Sequence, residues 1–207
     1  TALKNMARYN AQDYIFHHAY PVPDRNAVRV LLDFGAGHGR IANLAFNTPI
    51  AADRLQTYIA VEGIPSTYFT QAFYYAGLGL KVWDYFEHHY EDLTQETISA
   101  AIRDYDVVHM PTWRTDLIPD GAADMVNCVQ VLKELPGELV VHILPEFKRM
   151  TQASGALYIR DHVQFHNPNH MPIDMLIQAQ GYVLEFAPQV RDRSEIHGLP
   201  RIWRKID

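Results

Sequence analysis

The chain has 207 residues, 48% of them apolar, and a formal net charge of −6 with its 11 histidines counted as neutral. That length and composition suffice for one domain with a well-buried core. The acidic balance excludes the basic footprint of a nucleic-acid binder, and no window approaches the roughly eighteen uninterrupted apolar residues of a membrane-spanning helix. A soluble, cytoplasmic chain forming a single domain over residues 1–207 is expected, with a small molecule as its partner rather than nucleic acid or membrane. Cys128, the single cysteine, stands in the apolar run Met125–Leu132 and is read as a buried reduced thiol.

In chain order, Leu3–Tyr20 has helical character and carries Tyr9, Tyr14, Phe16 and Tyr20, so residues 1–25 are read as a helical N-terminal cap. Short β-branched or apolar runs then alternate with longer segments of helical period, the pattern of βαβ units in an α/β fold. Strands are expected at Val28–Asp33, Thr57–Glu62, Asp106–Met110, Ala123–Cys128, Gly155–Asp161, Tyr182–Phe186 and Arg201–Lys205. Helices are expected at Arg40–Phe46, Pro65–Ala76, Leu93–Asp104, Gly137–Thr151 and Ile173–Ala179. Pro65 suits a first helical turn, and Gly77 and Gly181 suit helix ends. The segment Lys81–Tyr105 reads as an extra strand or helical insertion before the third core strand. The last two strands have no helix between them, which implies a terminal antiparallel pair. The fold expected is thus a seven-stranded, mostly parallel sheet with helices on both faces and a C-terminal antiparallel strand.

The first strand runs into "VLLDFGAGHGR", residues 30–40, where Asp33 is followed by Gly35, Ala36, Gly37 and Gly39 and then by a helix. Such a turn sets backbone N–H groups and a helix N-terminus beside a space without side chains, suited to a polar, close-fitting ligand. A phosphate-binding loop is excluded by the missing Gly-Lys-Ser/Thr, and Arg40 stands where a dinucleotide fingerprint needs its third glycine. A purely geometric turn is the competing reading. The next strand, "YIAVEG", ends in Glu62, placed to accept hydrogen bonds from both hydroxyls of a ribose. Two adjacent strand ends therefore describe a nucleoside site.

These motifs resemble those of the class I S-adenosylmethionine-dependent methyltransferases, with their glycine-rich first motif and acidic second one. "DLIPDGAADMVNCVQVLKELP" and "SGALYIRDH" are similar to that family's fourth-strand and fifth-strand regions, so the resemblance spans about residues 28 to 162. It implies a Rossmann-like fold with S-adenosylmethionine as cofactor, Asp33, Gly35, Ala36, Gly37 and Gly39 around its methionine part and Glu62 on its ribose. Many members carry an acidic residue after the third strand for the adenine amino group. The matching stretch here is Met110-Pro111-Thr112-Trp113. Thr112 is read as a hydrogen-bonding group and Trp113 as a stacking surface for the purine, against the alternative of a Trp113 packed under the sheet. Arg40 is open between the cofactor carboxylate and a structural acid.

In an open parallel sheet the ligand lies over the carboxyl ends of the strands, so the loops after the fourth and fifth strands should face the transferable methyl. They carry Gln130, Lys133 and Glu134, then Asp161, His162, Gln164, His166, Asn167, Asn169 and His170. Gln130 is assigned to the cofactor side. His162, beside Asp161, is read as the general base for a hydroxyl acceptor, with a structural loop histidine as the alternative. The wording of the motifs is also similar to a bacterial group of sugar O-methyltransferases, which implies a sugar hydroxyl. A divalent metal on Asp161, His162, His166 and Gln130 is the less favoured variant, because carboxylate and histidine neighbours are common without metal. The doublets His17-His18 and His88-His89 make poor chelates, and Tyr68, Phe69, Phe73, Tyr74 and Tyr75 are read as one helix packing on the sheet. A cofactor-binding partner subunit without catalysis and a nitrogen-directed methyltransferase are the competing functions. The glycine spacing argues against a nicotinamide-dependent reductase.

Overall fold

A computed structural model describes residues 28–47, 55–161, 172–187 and 199–206. The expected N-terminal cap over 1–25 and the residues from His162 to His170 lie outside the described residues. The chain divides after Pro119 into two compact units.

In the first unit, β1 (Val30–Phe34) leads through the glycine turn into α1 (Arg40–Asn47), and β2 (Thr57–Glu62) into α2 (Pro65–Gly77). A short β3 (Val82–Asp84) and two 3-10 turns precede α3 (Gln95–Asp104), and β4 (Val107–Pro111) closes the set. The strands lie in the order β3-β4-β2-β1, all parallel. All six residues of β2 and all five of β4 are buried. Such continuously buried, mostly apolar strands are what a parallel sheet covered on both faces selects. The register pairs Phe34 with Val61, Glu62 with Pro111 and Asp84 with His109. The ends of all four strands thus fall on one edge.

β3 makes eight strands among the described residues rather than the seven expected. The segment 81–105 therefore supplies both a strand and helical turns. Its helix begins at Gln95, later than the expected Leu93, because Thr94 and Thr97 form a reciprocal capping box. Leu93 and Ile98, the two positions of a hydrophobic staple, are both buried.

In the second unit, β5 (Ala123–Val129), α4 (Gly137–Met150), β6 (Thr151–Asp161), α5 (Ile173–Ala179), β7 (Tyr182–Phe186) and β8 (Leu199–Lys205) follow in turn, with the strands in the order β5-β6-β8-β7. β5 and β6 are parallel, while β8 is antiparallel to both its neighbours, the expected C-terminal ending. β6 starts four residues earlier than Gly155 because it continues through an irregularity in the β5–β6 register, with Ser154 at φ 56°. Thr151 at its start bonds the Tyr182 hydroxyl at 3.1 Å, and burial pushes that phenol up to about 12. Arg201 of β8, fully buried, pairs with Asp174 of α5 at 2.6 Å. Cys128 is buried, as its apolar run implied, and is in no disulfide. No helix among the described residues is long and apolar enough to cross a membrane.

Candidate active site

The glycine turn is stitched to the end of β2. Gly35 N–H donates to Val61 O at 2.8 Å, and Gly37 N–H donates to the Glu62 carboxylate at 3.0 Å. The other oxygen of Glu62 accepts from Gly63 N–H at 2.8 Å and Ile64 N–H at 2.9 Å, and the residue is 4% exposed. A buried carboxylate needs such donors, because an unpaired one costs several kcal/mol, on the order of the desolvation of a charge. Glu62 therefore joins the turn after β1 to the loop after β2.

Two of the glycines meet different surroundings. At Gly39, with φ +74°, an added Cβ would lie 2.6 Å from Tyr75 Cε1, so the aromatic face of α2 closes on the backbone there. At Gly37, with φ +58°, a Cβ would meet, among the described residues, only Gly35 O, at 4.0 Å. Among the described residues the side of the turn at Gly37 is open, and a ligand can approach the backbone there.

Asp33, at the end of β1, is buried and accepts from the Tyr58 hydroxyl at 2.5 Å. Burial, then the negative charge of Asp33, raises the pKa of Tyr58, while the nearby Arg40 charge acts the other way. Tyr58 thus stays a neutral donor that fixes the Asp33 carboxylate.

After β4, Thr112 packs against the loop that follows Glu62, its hydroxyl 2.9 Å from where a Cβ on Gly63 would sit. Trp113 is 57% exposed and meets the Phe86 ring at a 60° interplanar angle, with centroids 6.3 Å apart. The alternative of a Trp113 packed under the sheet is thereby overturned: the turn after Pro111 carries the indole past the sheet edge. The helix of aromatics likewise splits. Tyr68 and Tyr75 pack on the sheet as expected, but Phe69 (56% exposed) and Phe73 (82%) face outward, since the i, i+7 pair Tyr68 and Tyr75 shares one stripe of the helix and the i, i+4 pair Phe69 and Phe73 another, about 100° round it.

The first unit thus brings Asp33, Gly35, Ala36, Gly37, Gly39, Glu62, Thr112 and Trp113 to the carboxyl edge of its strands. Gln130 and Asp161 belong to the second unit, at the ends of β5 and β6. Gln130 has φ 62°, a left-handed backbone rarely adopted outside glycine, and accepts from Lys133 Nζ. Asp161 is buried and accepts from Lys133 N–H at 3.0 Å. His162 lies outside the described residues. No group of three histidine, cysteine, aspartate or glutamate side chains able to hold a metal occurs among the described residues.

A buried polar chain also reaches this site. His109 of β4 is fully buried, with Nδ1 2.8 Å from Asp84 Oδ2 and Nε2 2.8 Å from Gln71 Oε1. Gln71 Nε2 donates to Gly37 O and lies 3.4 Å from Glu62 Oε2. Sequence reasoning passed over His109, although one signal could have found it: an ionisable residue inside "VVHMP", a strand buried on both faces, must find a partner. Burial alone would raise the Asp84 pKa, but the hydrogen bond and charge of His109, with Phe86 N–H and the Tyr68 hydroxyl, outweigh it and hold the carboxyl below its ordinary value. A depressed carboxylate stabilises the fold above its unfolded pKa, and that contribution is lost as pH falls toward the folded one. Urea midpoints of wild type and Asp84→Asn should therefore differ most near neutrality and converge in the acid range. Parallel curves would show that Asp84 contributes through shape alone.

No protein-family model matches the chain, and no curated protein matches it. Solved structures do. A SAM-dependent methyltransferase from Aquifex aeolicus superposes with a TM-score of 0.55 at 12% identity, over 89% of this chain and 87% of that one. The 1,6-didemethyltoxoflavin-N1-methyltransferase of Burkholderia thailandensis, solved with its substrate and S-adenosylhomocysteine, gives 0.61 at 15% identity over 96% and 79%. The mitomycin 7-O-methyltransferase gives 0.63 at 16% over 99% and 57%. The fold of this chain is the one these methyltransferases share.

Proposed function

We propose that the protein is an S-adenosylmethionine-dependent methyltransferase acting on a hydroxyl of a small acceptor, a sugar or a sugar-containing metabolite. The observation that carries the donor reading is the Glu62 carboxylate holding Gly37 N–H at 3.0 Å beside a turn whose outer side is open. The turn and the acid fit a nucleoside with a charged tail. Glu62 would take the ribose hydroxyls, the turn from Asp33 to Gly39 the methionine part, and Thr112 with the exposed Trp113 the adenine, the indole offering a π-face in place of the missing acid.

When bound, S-adenosylmethionine supplies a methyl on a sulfonium, whose S–C bond breaks as the acceptor oxygen bonds the carbon and S-adenosylhomocysteine remains. The chain's part is alignment and removal of one proton. His162 is assigned to take the acceptor's hydroxyl proton, a task worth on the order of 10²–10⁴-fold. Asp161 and Gln130 would fix the strand ends from which that loop departs. The polar run Gln164–His170, rich in histidine and amide side chains, supports a hydroxylated acceptor.

Transfer of labelled methyl from S-adenosylmethionine to panels of sugars, phenols and amines, with and without Mg²⁺, tests this reading. Labelled O-methyl sugar, lost in His162→Ala, is expected. Turnover of amines alone would move the acceptor to nitrogen, and cofactor binding without any turnover would make the chain a binding subunit.

A further inference from the structure

Resting on the donor-site reading above, we propose that His109 is a positioning residue for that site: a buried imidazolium that, through Gln71, fixes the glycine turn and Glu62. Gln71 has one amide end beside Gly37 O and Glu62 Oε2, both acceptors, so its N–H₂ must lie there. Its oxygen then faces His109 Nε2 at 2.8 Å, and that nitrogen must donate. At the other side of the ring, Asp84 Oδ1 already accepts from Phe86 N–H at 2.9 Å and the Tyr68 hydroxyl at 3.1 Å, and Oδ2 faces Nδ1 at 2.8 Å. A carboxylate that accepts on both oxygens leaves Nδ1 as a second donor. With both nitrogens donating, the ring is an imidazolium.

Every element packed on it suits that charge. From α2, Tyr68 stacks on the ring at 3.6 Å and Tyr75 meets it edge-on at 5.6 Å. β3 brings Asp84, and β2 brings Glu62 through Gln71. Beyond Tyr68 lies Tyr85, whose hydroxyl takes a bond from Arg114 in the turn after β4. The buried side chains of α3, Ile98, Ala101 and Ile102, are apolar. Burial raises the Tyr68 and Tyr75 phenols well above their ordinary values, and the carboxyl groups around the cluster are Asp84 beside the ring, Glu62 beyond Gln71 and Asp33 of β1 beyond Tyr75.

Loss of one proton reverses the chain. The Nδ1 proton stays with the carboxylate, Nε2 becomes an acceptor, and the Gln71 amide must turn to meet it. Its oxygen would then face Gly37 O and Glu62 Oε2, acceptor against acceptor, and the turn would lose its anchor. Donor binding therefore requires protonated His109 and weakens as pH rises.

Nitrogen-15 spectra of histidine-labelled protein, recorded with calorimetric S-adenosylhomocysteine titrations along a pH series, test this in wild type and Gln71→Met. The expected result is a His109 ring protonated on both nitrogens near neutrality. Affinity should fall with the midpoint of that ring, and Gln71→Met should bind about tenfold more weakly, the value of a lost hydrogen bond pair. One bare ring nitrogen at neutrality, affinity unchanged while the ring titrates, or wild-type affinity in Gln71→Met would each overturn the proposal and leave the donor site standing. Absence of binding at every pH would instead overturn the donor reading.

Discussion

Gly39→Ala is expected to destabilise the protein by roughly 2–4 kcal/mol, from the left-handed backbone and from overpacking. The new methyl would stand 2.6 Å from Tyr75 Cε1 and 3.0 Å from Tyr74 Cδ1, and Tyr75 is fully buried and cannot retreat. Gly37 also has a left-handed φ, but among the described residues open space lies ahead of an added Cβ. Gly37→Ala should lose only about 1–2 kcal/mol and yet bind S-adenosylhomocysteine at least about tenfold more weakly, because the methyl fills the ligand's approach. Urea midpoints and calorimetry on the two variants read these separately. Equal stability losses with unchanged affinity in Gly37→Ala would mean that the glycines serve the turn alone.

Glu62→Ala has the second large effect. It removes an acceptor shared by Gly37, Gly63 and Ile64 N–H and, in the bound state, by the ribose hydroxyls. Charged hydrogen bonds are worth roughly 1.5–3 kcal/mol each, so S-adenosylhomocysteine affinity should fall on the order of 100-fold. Stability should fall as well, since three backbone donors lose their partner. Glu62→Gln keeps the shape but should weaken the site too, because whichever way its amide turns, its N–H₂ faces a backbone N–H. A stability loss with wild-type affinity would reduce Glu62 to a loop anchor.

Much of the fold was legible because its strands are self-contained patterns. The run Thr57–Glu62 has an apolar centre, Tyr58–Val61, and is bounded by turns, and the structure places β2 on those residues. β3 was legible only as an extra strand or helical insertion within Lys81–Tyr105, because the three residues Val82-Trp83-Asp84 carry no period and their register on β4, Val82 with Val107 and Asp84 with His109, is a tertiary fact. The start of α3 moved because the cap chemistry of Thr94 prevails over the apolar Leu93.

The candidate site was legible where backbone conformation dictates residue type, at Gly35, Gly37 and Gly39, all with positive φ. It was not legible where packing decides. Trp113 and Phe73 have the composition of core residues yet stand in solvent, while His109, Gln71 and Asp84 come together from three elements. No spacing along the chain encodes that meeting, although the lone histidine in an apolar strand announced that a partner was needed.

The central claim is the donor site, and calorimetric titration of the wild-type protein with S-adenosylhomocysteine tests it most directly. Saturable one-to-one binding is the predicted result. A folded protein that takes up no S-adenosylhomocysteine would contradict the account and leave the glycine turn a turn only.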